Sequence, residues 1–298
     1  MKRLLSPLSF SLAVATICTV FSLVSQPLAQ AGLIVHESFA VGTESGEYAN
    51  NTSITGQGHG TGFGSNTWST STNNADGIWK TQSGGLTSPY LANAQDGFLE
   101  FTRTSTGSFS GTATRTVSVG SLSETSYYMS ALFRVNQWGG HDVRVDIDFG
   151  GTNPMSFGIT SAGNPGMGGN GLQQVDTEIE LTAGQTYLFV VKITDGGSND
   201  DQWLWIDPAT STEPNVSTAA MYRGTGNRIN ATDNQPRSVV LNLTRHPDFV
   251  YSFDEIQIST TWEGLGIIPE PSTYGMILGI ICLAGVMVRR RFIPSNKH

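Results

Sequence analysis

The chain has 298 residues, of which 38% are hydrophobic, 13% charged and 35 are glycine. Dense runs of Glu, Lys and Ala are missing, which excludes long soluble helices and favours many short strands joined by polar turns. Between Gly32 and Ile268 ten basic residues face 23 acidic ones, a net charge of −13 that repels a phosphate backbone and excludes nucleic acid as a partner.

The first predicted element is a leader. Met1, Lys2 and Arg3 precede an apolar run, LLSPLSFSLAVATICTVFSLV, and then SQPLAQAG. A positive start, an apolar stretch and small residues at Ala29 and Ala31 make a secretory signal peptide over residues 1–31, cut after Ala31. Cys18 and Cys282 are the only cysteines, and both lie in apolar terminal segments. The middle of the chain therefore has neither a disulfide nor a thiolate zinc site.

Residues 32–265 read as one all-β domain. LIVHESFAVG opens it as a strand, and residues 43–88, rich in Gly, Ser, Thr and Asn, read as loops with a few short strands. From residue 97 onward apolar and polar residues alternate with the period of a strand. The runs are FLEFTR, TRTVSV, SYYMSALFRV, VRVDIDF, MSFGIT, TEIELTAG, TYLFVVKIT, QWLWID, RSVVLNL and FDEIQIST. The Gly-rich stretch GNPGMGGNG reads as a loop. About ten to twelve strands with turns between them, and no fixed repeat, predict a β-sandwich or jelly roll.

Three places in this domain carry candidate chemistry. Asp146 and Asp148 stand two apart and so share one strand face. Asp195, Asn199, Asp200 and Asp201 crowd a glycine-containing turn, an oxygen-rich arrangement suited to calcium, although hairpin turns also select Asp, Asn and Gly for backbone reasons. Trp203 and Trp205 share one face of a strand whose other face carries Leu204 and Ile206. If the tryptophans point outward they offer flat rings to a sugar, and if inward they belong to the core.

The passage TYLFVVKITDGGSNDDQWLWIDP, together with the later FDEIQIST, is similar to the strand–turn–strand hairpin and closing strand of laminin G-like and concanavalin A-like sandwiches. That resemblance implies a concanavalin A-like fold and raises the question of glycan hydrolysis. The enzymes it suggests use Glu-x-Asp-x-x-Glu. Here Asp146, Asp148 and Gly151 fall at those positions, so the third carboxylate is missing and no catalytic residue is expected.

The last element is a tail over residues 266–298. Pro269, Glu270 and Pro271 come first, then Ser272 and Thr273, and then an unbroken run of apolar residues and Gly from Tyr274 to Val288. Arg289, Arg290 and Arg291 follow at once. The run predicts one transmembrane helix at about 273–288, with the arginines cytoplasmic and the domain outside. The order of these parts resembles the PEP-CTERM sorting signal. The resemblance implies an exosortase-type processing enzyme as partner, and a protein exported to the cell envelope or surface, held by one membrane pass before processing and released to the matrix afterwards.

Taken together, the expectation is a non-enzymatic surface or exopolysaccharide-matrix protein that binds extracellular polysaccharide, with calcium as the one candidate ion. The alternatives are a glycan hydrolase or lyase, and a coat protein without ligand.

Overall fold

A computed structural model of the protein describes residues 32–268 apart from 45, 73–76, 92–95, 104–109, 121, 139–141, 170, 175–178, 225, 231–233 and 245–249. The expected signal peptide with its cut after Ala31 lies outside the described residues. So do Pro269, Glu270, Pro271, the span at 273–288, Arg289, Arg290 and Arg291. No helix among the described residues is long and apolar enough to cross a membrane.

Sixteen strands are formed among the described residues. In chain order they are β1 (Leu33–Glu37), β2 (Thr52–Ser53), β3 (Ser69–Thr72), β4 (Gly77–Gln82), β5 (Phe98–Arg103), β6 (Ser110–Thr116), β7 (Ser126–Val135) and β8 (Val143–Asp148). They continue with β9 (Met155–Ile159), β10 (Pro165–Gly168), β11 (Leu172–Gln174), β12 (Thr186–Thr194), β13 (Asp201–Ile206), β14 (Met221–Gly224), β15 (Ser238–Thr244) and β16 (Tyr251–Ser259). The only helical pieces among the described residues are two 3-10 turns, Val216–Thr218 and Glu263–Leu265.

These strands make an all-β sandwich of two antiparallel sheets. One runs β14-β13-β12-β7-β16-β5-β4-β2 with β1 also paired to β16, and the other runs β11-β10-β9-β8-β15-β6-β3. Period-two alternation builds the core between them. Val143, Val145 and Ile147 of β8 and Val239, Leu241 and Leu243 of β15 all point inward, against Phe133, Phe189, Phe253 and Leu204 of the larger sheet. Each such side chain contributes about 1.5–3 kcal/mol on burial.

Strands β7 and β12 are buried on both faces because the outer face of the larger sheet carries a second apolar cluster, and β16 is buried throughout with the polar Ser252, Asp254, Gln257 and Ser259 on that side. A strap over residues 262–267 covers part of that face through Trp262, Leu265 and Ile267. In β16 the inward residues change phase, from Tyr251 and Phe253 to Ile256 and Ile258. A bulge between Asp254 and Gln257 makes the shift, with Glu255 at a positive φ of 48°.

Two expectations need correction and one holds. The region 43–88 carries the few short strands expected of it, β2, β3 and β4, and Tyr48, Phe63, Trp68 and Trp79 are all buried in the core. Its winding path depends on Gly60 and Gly62, which take positive φ and pass so close to β1 that a Cβ would collide with the carbonyls of His36 and Ile34. The stretch GNPGMGGNG holds β10 rather than being a plain loop, since Gly166 pairs with Gly158 and Met167 enters the core. The expected strand TEIELTAG is coil and turn over its described part, residues 179–184. There Gly184 N donates to Val135 O (2.7 Å), Gln185 N to Thr182 O (3.2 Å) and Thr182 N to the Tyr187 hydroxyl (2.7 Å), so the backbone closes a turn against β7.

The two ends of the fold are tied down. Thr260 N donates to Gly32 O (2.9 Å), which sets the start of β1 beside the end of β16. Leu91 bridges Ile267, and Ile268 N donates to Tyr90 O (3.0 Å). The chain is thus held to the sandwich up to the residue before Pro269.

Candidate functional site

The outer face of the larger sheet is closed at one end and open at the other. Trp203 and Trp205 both point to this face, while Leu204 belongs to the core between the sheets. The structure separates the two tryptophans. Trp205 is 3% exposed and meets the edge of Trp262 in the strap, with centroids 5.5 Å apart at 83°. Trp203 is half-buried, lies beyond the strap, and packs against Tyr222 of β14 at 5.6 Å and 37°.

Strand register explains the open site. Tyr128 of β7 stands opposite Lys192 of β12, Lys192 opposite Trp203 of β13, and Trp203 opposite Tyr222. One cross-strand row therefore presents four large side chains on the same face. The Lys192 ammonium sits 5.4 Å from the Tyr128 ring and 5.5 Å from the Trp203 ring. Glu213 fixes it, accepting from Lys192 Nζ (2.6 Å) and from the Tyr128 hydroxyl (2.6 Å). The Tyr222 hydroxyl donates to Asp201 Oδ1 (2.7 Å), a bond that raises its pKa.

Tyr222 is 57% exposed, the most exposed large hydrophobic side chain among the described residues. Flat rings bordered by an ammonium, two carboxylates and a phenol can stack on an apolar sugar face and bond its hydroxyls. A pocket of about 340 Å³ opens farther along β13, lined by Trp205, Ile206, Pro208, Thr210, Pro214 and Ala220.

The DGGSNDD turn uses its oxygens on backbone amides. Asp195 Oδ1 accepts from Gly197 N (2.7 Å) and Asn199 Oδ1 from Gly226 N (3.2 Å), whereas Asp201 turns to Tyr222. Asp200, fully buried, accepts from the amides of Arg228 (2.5 Å) and Ile229 (2.8 Å). Among the described residues no three His, Cys, Asp or Glu side chains gather to hold a metal ion.

Asp146 and Asp148 share the outer face of the smaller sheet, opposite in sense to the inward Val145 and Ile147. Asp146 is 6% exposed. Burial raises its pKa, and Arg144, which donates to both its oxygens (2.9 and 3.1 Å), opposes the shift. Asp148 Oδ1 accepts from Gly150 N (2.7 Å).

Asp207 closes β13 at a positive φ of 47°, and its Oδ1 accepts from Leu188 N (2.7 Å). Burial pushes its carboxyl up to about 6. Its contribution to stability is therefore complete below the unfolded value near 4 and is lost as pH rises through about 6. Asp207→Asn keeps the acceptor and tolerates the left-handed backbone. Thermal melts should show a higher Tm than wild type at pH 7.5 and no difference at pH 3.5; an equal shift at both would contradict the assignment.

Packed antiparallel sheets with an aromatic row on one outer face define the chain as an all-β sandwich. It also carries an address: residues 268–291 match the PEP-CTERM protein-sorting motif, which implies export and sorting to the envelope by an exosortase-type enzyme. No curated protein matches the chain.

Similar solved structures include domain 4 of AbnA, a GH43 extracellular arabinanase from Geobacillus stearothermophilus, in complex with arabinotriose. It is 14% identical, with 79% of this chain and 98% of that one covered and a TM-score of 0.44. An alginate lyase in complex with alginate trisaccharide is 16% identical over 60% of this chain and 87% of that one, with a TM-score of 0.35. Arcelin-5, a lectin-like defense protein from Phaseolus vulgaris, is 6% identical over 64% and 97%, with a TM-score of 0.33. These are likenesses of fold.

Proposed function

We propose that the protein is an exported, non-enzymatic polysaccharide-binding module of the cell surface or its matrix, and that the row Lys192–Trp203–Tyr222 is its sugar platform. The exposure of Tyr222 beside the half-buried Trp203 carries this reading. A tyrosine left open on a sheet face gains little for folding, whereas an apolar sugar face laid on it removes that surface from water. Binding is favoured over hydrolysis because Asp146 is committed to Arg144 and Asp148 to a backbone amide, so these two carboxylates are not arranged as an acid and a base. The sorting motif supplies the address at which such a module meets extracellular polysaccharide.

Retention of the full chain on insoluble glycans, including the exopolysaccharide of its own host, tests the proposal. Tyr222→Ala is expected to weaken retention at least tenfold, a loss of about 1.4 kcal/mol or more, with Tm nearly unchanged because the ring is largely exposed. Absence of retention by every glycan, or full retention by Tyr222→Ala, would overturn it.

A further inference from the structure

The edge strand β14 of the larger sheet lies against β10, the strand next to the edge of the smaller one, and two arginines stand near one another there. Alternation along β14 sends Tyr222 to the open face and Arg223 to the other side, where its Nη1 donates to Met167 O (3.1 Å). Arg228 follows in the next loop and is 6% exposed. Its guanidinium packs over Gly169, where any Cβ would overlap it, and a Cβ on Gly226 would come within 2.9 Å of it. A Cβ on Gly168 would stand 3.0 Å from Arg223 Nη1. Two successive glycines thus make room for the two guanidinium groups.

The Arg228 guanidinium donates no hydrogen bond and makes no ion pair among the described residues. Its Nε is closed to solvent without an acceptor. Asp200 is the nearby acid, but its oxygens accept from the amides of Gly196, Arg228 and Ile229. Burial and then the neighbouring Arg223 lower the pKa of Arg228, while Asp200 opposes them. A buried cation beside a like charge and without an acceptor is costly to maintain, and an anion seated between the pair would remove that cost.

We infer that Arg223 and Arg228 form a subsite for the carboxylate of an acidic sugar, so that the polysaccharide bound at this edge is a uronate-bearing one. The inference rests on the polysaccharide-binding reading above and names its substrate class. A guanidinium fork matches a carboxylate with two parallel bonds. Tyr222 and Arg223 are consecutive, so their Cα atoms are about 3.8 Å apart. A glycan draped over the four-residue edge strand meets a ring on one side and a cation on the other. The acidic surface does not forbid this. At physiological salt its repulsion decays over about 8 Å, and a uronate chain carries far less charge per length than duplex nucleic acid.

Calorimetric titration of the full chain in detergent micelles tests the inference, with galacturonate, mannuronate and glucuronate oligosaccharides as probes, each beside its carboxyl-reduced counterpart. At least one acidic form should bind ten times or more tighter than its reduced form. Arg228→Met and Arg223→Gln should each erase that preference and leave affinity for the reduced form unchanged, while Tyr222→Ala weakens both. Should Arg228→Met fail to fold, Arg223→Gln and the wild-type preference decide the matter. Equal affinity for acidic and reduced forms, or a preference that survives in the folded variants, overturns the uronate subsite alone. Binding of none of the probes overturns both readings.

Discussion

Arg115→Met is expected to lose about 3–5 kcal/mol of stability at pH 7.5 and distinctly less at pH 4.5. Arg115 projects from β6 into the space between the sheets, where it and Glu37 of β1 are each about 1% exposed. Its Nη1 donates to Glu37 Oε2 and to the carbonyl of His59, its Nε donates to Asn66 O (3.0 Å), and its plane lies 3.9 Å from the Phe63 ring. Glu37 also accepts from the Tyr48 hydroxyl (2.9 Å), Trp68 Nε1 (3.2 Å) and Phe39 N (3.1 Å).

Burial raises the pKa of Glu37, and Arg115 is the largest influence opposing it. Glu37 therefore contributes most below its unfolded value near 4.3, and this contribution falls as pH rises through the higher folded value. Without Arg115 the folded value rises further, so the penalty grows with pH. The pair Arg115→Met with Glu37→Gln removes both charges and should recover most of the loss. Urea unfolding of the full chain at the two pH values measures it. An equal deficit at both would mean that packing over Phe63, rather than charge, is what the substitution removes.

That buried pair shows where sequence reasoning stops. Arg115 sits in TRTVSV at an inward position of a strand whose alternation is otherwise readable, and nothing local says that an arginine there finds Glu37, 78 residues away. A strand with strict alternation, such as Val143–Asp148, is legible because one face must be dry. The aromatics of residues 43–88 are hidden among turn residues, and glycines at positive φ, rather than any periodicity, bring them to the core. In TEIELTAG the alternation is present but the backbone bonds close a turn.

The candidate site divides in the same way. The strand of Trp203 and Trp205 and its two faces are readable from QWLWID. Which tryptophan stays open depends on how far the strap reaches, a tertiary fact without a local signal. Tyr222 lies in a four-residue strand too short for periodicity, and only the register across β13 identifies it as the partner of Trp203. The local signal is a Tyr followed by two arginines in MYRGTGNR.

Trp262→Ala tests whether the strap governs that boundary, and its expected cost is about 3–5 kcal/mol. The indole is 2% exposed, donates from Nε1 to Thr210 O (3.1 Å), and meets Trp205 and Tyr128 edge-on at 5.5 and 6.1 Å. Removing it leaves a void over β12 and β13 and takes away the strap's main anchor, so that its far end is held by the bridge of Ile267 to Leu91 and the bond of Ile268 N to Tyr90 O. The strap should then loosen from Trp262 onward and free Trp205 to solvent, which a red shift in tryptophan fluorescence and new protease sensitivity after Ser259 would register. The core between the sheets lies on the far side of β12 and β13, so far-UV circular dichroism should keep its β signature. Cooperative loss of the whole sandwich would show instead that the outer cluster is indispensable to the fold. Retained protection after Ser259 would show that the bonds of Ile267 and Ile268 hold the strap without the indole. In the expected case the sorting motif, which begins at the residue that Tyr90 anchors, gains slack relative to the domain, while the sugar platform at Trp203 and Tyr222 keeps its register because β13 and β14 pair independently of the strap.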